Sequence, residues 1–131
     1  MVPAGDAAAF ILAITEANSK GNAKIFLPNG LYDLGETVLT AISGNNISII
    51  GESMEGTIIK NAPDVKIEGI SSTATLHIIK NVAGTYLQDL TLQNALDYYK
   101  NDNGRAVCLW DQGTQTVCKN VRMLSYQDTY Y

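Results

Sequence analysis

Charge is scarce in this 131-residue sequence: 17% of its residues are Asp, Glu, Lys or Arg, and nine basic side chains stand against 13 acidic ones. No basic cluster occurs along the chain, which argues against nucleic acid as a partner, because neutralising phosphates takes a cationic face. Histidine occurs once and cysteine twice, too few for a disulfide framework or a Cys/His metal site. Cys108 and Cys118 read either as two small buried apolar side chains or as a disulfide across adjacent strands. Long apolar runs are missing too. Ala7 to Ile14 is only eight residues long, much too short to span a bilayer, so no membrane contact is expected. Asp6 stands directly before that run, no basic residue precedes it and no small-residue cleavage pattern follows, so it does not read as an export signal.

What is present describes one packed domain. Hydrophobic residues make up 46% of the chain and mean hydropathy is zero, which excludes a disordered tail or a coiled coil. Such a length buries roughly two-thirds of its unfolded surface, enough for one core and not for two. The single domain is expected over residues 1–131, with a capping helix over 6–20 and β-coils over 24–131.

Asp6 is an N-cap residue followed by good helix formers, and Ala8, Ile11, Leu12 and Thr15 fall on one stripe at helical spacing. Gly21 suits the end of that helix. Beyond it the pattern changes to short β-branched runs: Ile25–Leu27, Thr37–Thr40, Ile47–Ile50, Thr57–Ile59, Val65–Ile67, Leu76–Ile79, Tyr86–Leu92, Ala106–Trp110 and Thr116–Leu124. Gly, Asn, Asp and Ser separate them, so they read as strands joined by tight turns. Lys80-Asn81-Val82 recurs as Lys119-Asn120-Val121, and Asn or Gly flanks several strands where a solenoid would turn a corner. A parallel β-helix, with irregular periods of roughly thirty to forty residues, competes with an antiparallel sandwich on this pattern. The helix favours the solenoid, because the first coil needs a cover over its open apolar end. His77, within Thr75-Leu76-His77-Ile78-Ile79, reads as a strand residue with a satisfied ring, not as a catalytic base.

Ser125-Tyr126-Gln127-Asp128-Thr129-Tyr130-Tyr131 resembles the "GYQDTLY" signature of pectin methylesterases. Further matches follow the same order along the chain. Asn46-Ile47-Ser48-Ile49-Ile50-Gly51-Glu52 is similar to "NITLIGE", Asp89-Leu90-Thr91-Leu92-Gln93-Asn94 to "DITFEN" and Arg105-Ala106-Val107-Cys108-Leu109 to "QAVAL". Ile25 to Tyr32 is similar to the opening "IFVKNGVY". The resemblance covers residues 6 to 131 and implies an all-β fold, a right-handed parallel β-helix with an N-terminal capping helix, truncated at its C-terminal end. The family's nucleophilic aspartate, in a "VDFIFG" strand one coil later, and its arginine, in an "LGRPW"-like segment, have no counterpart here.

The resemblance also implies an activity: hydrolysis of homogalacturonan methyl esters to pectate and methanol, without cofactor or metal, in a secreted or periplasmic setting. Ester hydrolysis needs a nucleophile, a proton donor to the departing methoxide and donors to the oxyanion. By resemblance Asp128 is the general acid and later the general base, its pKa raised in the family by the second aspartate. Gln127 donates to the oxyanion. Arg105 stands where the family has a second glutamine, and an arginine there either donates to the oxyanion, grips a galacturonate carboxylate bidentately or points into solvent. Tyr126, Tyr130 and Tyr98 are candidate contacts to the sugar, as are Tyr99, Tyr131 and Trp110. Asp89 reads as a corner residue bonded to backbone. On this reading the chain alone is inactive, and its open end requires the missing C-terminal half or self-association. The competing readings are a non-catalytic β-helix module that binds acidic polysaccharide and a fragment of a polysaccharide lyase or polygalacturonase. The lyase is disfavoured because Asp97, Asp102 and Asp111 show no calcium-loop spacing.

Overall fold

A computed structural model describes residues 2–35, 40–61, 74–95 and 107–125. Helix α1 (Ala7–Lys20) is capped at both ends as the sequence requires: the Asp6 side chain accepts from the Ala9 amide at 3.0 Å, and Gly21 turns out of the helix at φ 66°. The Gly21 amide donates back to the Ala17 carbonyl at 2.8 Å. Asp6→Ala will cost about 1 kcal/mol of stability, the usual worth of such a cap, measurable as a lower midpoint in a urea melt. The buried stripe is Phe10, Ile14 and Ala17, whereas Leu12 is 65% exposed and Ala8 and Thr15 lie at the surface. The face expected from the sequence is therefore corrected. Ala7 to Ile14 is apolar almost all round, so helical spacing alone fits more than one face. The side that wins is the one where Phe10 packs against Tyr32, ring centroids 6.2 Å apart.

Among the described residues nine strands follow: β1 (Ala23–Leu27), β2 (Gly30–Asp33), β3 (Thr40–Ile42), β4 (Ile47–Gly51), β5 (Thr57–Asn61), β6 (Leu76–Ile78), β7 (Tyr86–Asn94), β8 (Leu109–Asp111) and β9 (Val117–Leu124). Every pairing between them is parallel. The chain winds through three faces in turn. The first stacks β1, β4 and the opening halves of β7 and β9. The second stacks β2, β5 and the closing halves of β7 and β9. The third stacks β3, β6 and β8. This is a parallel β-helix, with α1 packed over its first coil against β1, β2 and β3. Strand β2 is an addition to the elements expected, because Pro28-Asn29-Gly30 reads as a turn and hides the short strand that starts at its glycine.

Like positions stack on like. Ile25, Ile49 and Leu87 form one inward ladder and Tyr32, Ile59 and Leu92 another, all buried. Each such side chain contributes roughly 1.5–3 kcal/mol by leaving water. The register advances from residue 25 to 49, 87 and 118, so successive coils take 24, 38 and 31 residues. The expected period was longer than the first coil, because connecting segments vary while the strands between them do not.

Corners repeat as well. Asn22, Asn46, Gly84 and Gln115 have positive φ (50°, 57°, 80° and 56°) immediately before the first face of successive coils. Backbone bonds run through this corner, from the Asn22 amide to the Asn45 carbonyl and from the Asn46 amide to the Ala83 carbonyl, each at 2.9 Å. Asn46 Nδ2 donates to Asn22 Oδ1 at 3.0 Å, and Asn45 Oδ1 accepts from the Ala83 amide at 3.0 Å. Asparagine tolerates this left-handed backbone better than other side chains, which is why it recurs here.

Cys108 and Cys118 are both free; Cys108 is buried and Cys118 is exposed. Neither sequence reading holds for the pair. Cys118 is in register with buried Leu87, but β9 pairs on one side only among the described residues, so an inward position is left facing water. Among the described residues no helix is long and apolar enough to cross a membrane.

Candidate active site

The residues expected to carry chemistry, Arg105, Gln127 and Asp128, lie outside the described residues, as do Tyr98, Tyr99, Tyr126, Tyr130 and Tyr131. Ser125 immediately precedes Tyr126, and Val107 follows Arg105 by two residues. These two stretches are tied together. Cys108 Sγ donates to the Leu124 carbonyl at 3.2 Å and lies 3.3 Å from the Leu92 carbonyl. Asn94 Nδ2 donates to the Val107 carbonyl at 3.0 Å, and the Thr75 amide donates to the same oxygen at 3.0 Å. Thr75 Oγ1 completes the knot by donating to the Gln93 carbonyl at 3.0 Å.

This knot sits where the second face turns towards the third. An open cleft of about 350 Å³ lies beside it, lined by Gln93, Asn94, Ala95, Met123, Leu124 and Ser125. Asn61 and Asn94 stack in register beneath it, and the Asn61 amide, 1% exposed, has no hydrogen-bond partner among the described residues. A second cleft of similar size, about 370 Å³, lies at the other end of the solenoid between α1 and β1. None of its lining residues belongs to the expected set. Among the described residues no three His, Cys, Asp or Glu side chains come together.

Burial pushes the Cys108 thiol up to about 11, the neighbouring hydrogen bonds offsetting only part of the effect. It therefore stays protonated through neutral pH, acts as a donor to backbone carbonyls and is no nucleophile. Burial also raises Cys118, with Asp111 adding to the shift, yet its exposure leaves it accessible. A thiol reagent at pH 8, with the protein dilute enough to keep chains apart, will label one cysteine per folded chain, and peptide mapping will place the label on Cys118. The raised Cys108 value also has a sign in stability. The unfolded thiol loses its proton first, so the stabilisation is complete below pH 9 and is lost as pH rises towards 11. Denaturant midpoints for Cys108→Ala will fall less across that interval than those of the unsubstituted chain.

Asp89 is a corner residue, as expected, but its bonds go to side chains instead of backbone. At φ 55° it bends β7 between its two halves, and its carboxylate accepts from Asn120 Nδ2 at 2.8 Å and Gln88 Nε2 at 2.9 Å. The Asn120 bond, then the Gln88 bond, holds its pKa below the usual carboxylate value. Asn120 repeats the bend one coil later, at φ 57°. Thus the repeated Lys-Asn-Val string marks two different turns: Asn81 (φ 74°) follows the third face, while Asn120 kinks a strand.

His77 lies in the third face as a satisfied strand residue. Its Nε2 donates to Gln112 Oε1 at 2.7 Å, and its ring stacks on Trp110 with centroids 4.1 Å apart and planes 9° from parallel. The sequence shows both residues but not their pairing, since nothing local says that residue 77 is in register with residue 110.

Residues 5–131 match the Pectinesterase family. A comparison with curated proteins finds no match. Solved structures do match: the pectin methylesterase of Erwinia chrysanthemi (25% identity, TM-score 0.72) and a pectin methylesterase in complex with a hexasaccharide (25%, 0.71), each over 91% of this chain and 40% of the other. The carrot pectin methylesterase shares the fold at 24% identity and a TM-score of 0.71 over 91% of this chain and 37% of its own. This chain thus spans about 40% of the length of the solved structures it matches. Its parallel coils, capping helix and ordered motifs are those of one family, and the chain belongs to the pectinesterases.

Proposed function

We propose that this chain is the N-terminal part of a pectin methylesterase, which hydrolyses the methyl esters of homogalacturonan to pectate and methanol. The observation that carries the reading is the knot at Cys108, Leu124, Asn94 and Val107, which joins the strand following Arg105 to the strand preceding Gln127 and Asp128. Arg105 and Asp128 are 23 residues apart in sequence, and the described residues nearest to them in the chain, Val107, Cys108 and Leu124, meet at one corner.

In the proposed reaction a second aspartate, contributed by a later coil, attacks the ester carbonyl. Gln127 and Arg105 donate to the oxyanion as negative charge develops there. Collapse of the tetrahedral intermediate breaks the bond to methoxide, which leaves as methanol with the proton from Asp128. Asp128, now a carboxylate, takes a proton from water, and hydroxide opens the acyl-enzyme to release pectate. Tyr126, Tyr130 and Tyr98 contact the sugar chain. The polymer is extracellular, so the protein works in a secreted or periplasmic setting, in cell-wall modification or pectin degradation.

Methanol release from highly methylated pectin tests this. The chain alone will release none. Addition of a polypeptide carrying the later coils of the fold will restore activity, and Asp128→Asn in the reconstituted protein will remove it again. A reconstituted complex that binds pectin but releases no methanol would overturn the esterase reading in favour of a binding module.

A further inference from the structure

Between β1 and β2 the chain turns through Pro28-Asn29-Gly30. Asparagine followed by glycine is the pair that loses its side-chain amide most readily in water, because no Cβ shields the glycine nitrogen. That nitrogen attacks the asparagine Cγ, the new C–N bond closes a five-membered imide, and the Cγ–Nδ2 bond breaks. Ammonia leaves with the proton lost from the glycine N–H, and water then opens the imide at either carbonyl to give aspartate or isoaspartate. Asn29 is exposed, so burial does not protect it. What holds it is the second coil. The Gly30 amide donates to the Gly56 carbonyl at 2.9 Å, which commits the proton that the attack must release. Asn29 Oδ1 accepts from Ser53 Oγ at 2.8 Å and lies 3.2 Å from Thr57 Oγ1, while the Asn29 amide donates to Glu52 Oε1 at 3.0 Å. Ser53 is fixed in turn, its Oγ accepting from the Gly56 amide at 3.1 Å. Gly56 closes over the carboxamide: a Cβ there would lie 2.5 Å from both Asn29 Cγ and Oδ1. Bringing the Gly30 nitrogen onto Asn29 Cγ means turning the peptide plane between them, which breaks the bond to Gly56 and the register of Gly30 with Thr57.

We propose that Asn29-Gly30 is a latent modification site, closed while the first two coils are wound together and opened when residues 52–56 leave the first turn. The rate at Asn29 is then the rate of an unfolded chain multiplied by the fraction of time the coils are apart, as for any slow reaction gated by local opening. The change is one-way. Isoaspartate adds a methylene to the backbone and puts Gly30 out of step with Thr57, whereas aspartate sets a second carboxylate beside Glu52. Either product opposes closure of the turn. The same turn supports the helical cap, because the Tyr32 hydroxyl donates to the Pro28 carbonyl at 2.6 Å and the Tyr32 ring carries Phe10 of α1. A chain that has once unwound its first coils is thereby kept from seating α1 again. This chemistry consumes only water and is independent of the pectin reading.

Peptide mapping by mass spectrometry, on chain incubated at pH 8 in buffer and in guanidinium chloride, measures the loss of the Asn29 amide and the share of isoaspartate formed. Asn103-Gly104 is the other such pair in the sequence, and in the denatured sample it gives the unprotected rate alongside Asn29. In buffer Asn29 will react at least about a hundredfold more slowly than in denaturant, the protection that a local opening of modest cost confers. Ser53→Ala, which removes one anchor of Oδ1 and leaves the core intact, will speed the reaction in buffer roughly fivefold. Gly56→Ala will speed it at least as much, and neither substitution will change the rate in denaturant. Chain purified with isoaspartate at position 29 will unfold at a lower denaturant concentration than unmodified chain. Equal rates in buffer and denaturant would overturn the proposal. A slow rate in buffer that Ser53→Ala and Gly56→Ala both leave unchanged, in variants that still melt cooperatively, would overturn the assignment of protection to the second coil. Identical unfolding midpoints for modified and unmodified chain would overturn the one-way character of the change.

Discussion

Adding one methyl group at Gly51 will destabilise the fold by about 3 kcal/mol or more, the upper end of what overpacking costs in a filled interior. Gly51 closes β4 at the point where β7 bends. A Cβ there would lie 2.1 Å from the Asp89 carbonyl oxygen, 2.9 Å from Thr57 Cβ and 3.0 Å from Thr57 Cγ2. The first obstacle is backbone, and it belongs to the residue whose positive φ makes the bend. Thr57 cannot swing aside either, because its hydroxyl donates to the Leu27 carbonyl and accepts from the Glu52 amide, each at 3.1 Å. Three consecutive coils are therefore locked around one missing side chain. Gly35 is the control. It has a more demanding φ of 64° but nothing within 4 Å of the would-be Cβ, so Gly35→Ala meets only local strain, about 1 kcal/mol. Urea melts of both variants at one protein concentration will separate the two effects. Equal losses would mean that the corner at Asp89 can relax and that the coils are not close-packed there.

The sequence declares this corner only in part. Asp89-Leu90-Thr91-Leu92 is plainly a strand, and Asp6 and Gly21 bound the helix correctly, because capping and β-branched alternation are local effects. The helix face was not legible, since a run as apolar as Ala7 to Ile14 leaves the choice to whatever it packs against, here Tyr32 and the first coil. Register was not legible either. Ile49 lies over Ile25 after 24 residues and Leu87 over Ile49 after 38, so no fixed repeat announces which side chains share a ladder. That is why His77 and Trp110 could be read singly but not as a pair. The catalytic candidates are proposed only through resemblance, Gln127 and Asp128 from the Tyr126-Gln127-Asp128 string and Arg105 from Arg105-Ala106-Val107-Cys108-Leu109. What the fold adds is the knot of Asn94, Val107, Cys108 and Leu124, whose members have ordinary local roles and acquire their meaning from contacts that span 13 and 16 residues.

As the chain stands it will self-associate through β9, and substitution of Val117 and Leu124 by lysine will return it towards monomer. In a solenoid the inward positions of one coil are covered by the next. Leu87, Leu90 and Leu92 of β7 are wholly buried, and their register partners in β9 are Cys118, Val121 and Met123. Cys118 is exposed, and the other two are only partly buried against the core. The outward flanks add Val117 at 51% and Leu124 at 40% exposure. An apolar rung joined to unpaired backbone N–H and C=O groups is the feature that recruits another chain, and lysine on such an edge is what suppresses it. Val117 and Leu124 can be changed without emptying the core, so loss of association would be separable from loss of fold. Sedimentation velocity at micromolar concentration will show oligomers for the unsubstituted chain, a shift towards monomer for Val117→Lys with Leu124→Lys, and one defined complex when a polypeptide carrying the later coils is added. A monodisperse monomer with a cooperative melt before any substitution would show that β9 is covered by the chain itself. The thiol experiment would then agree by leaving Cys118 unlabelled, since the same cover that buries the rung would close over that sulfur.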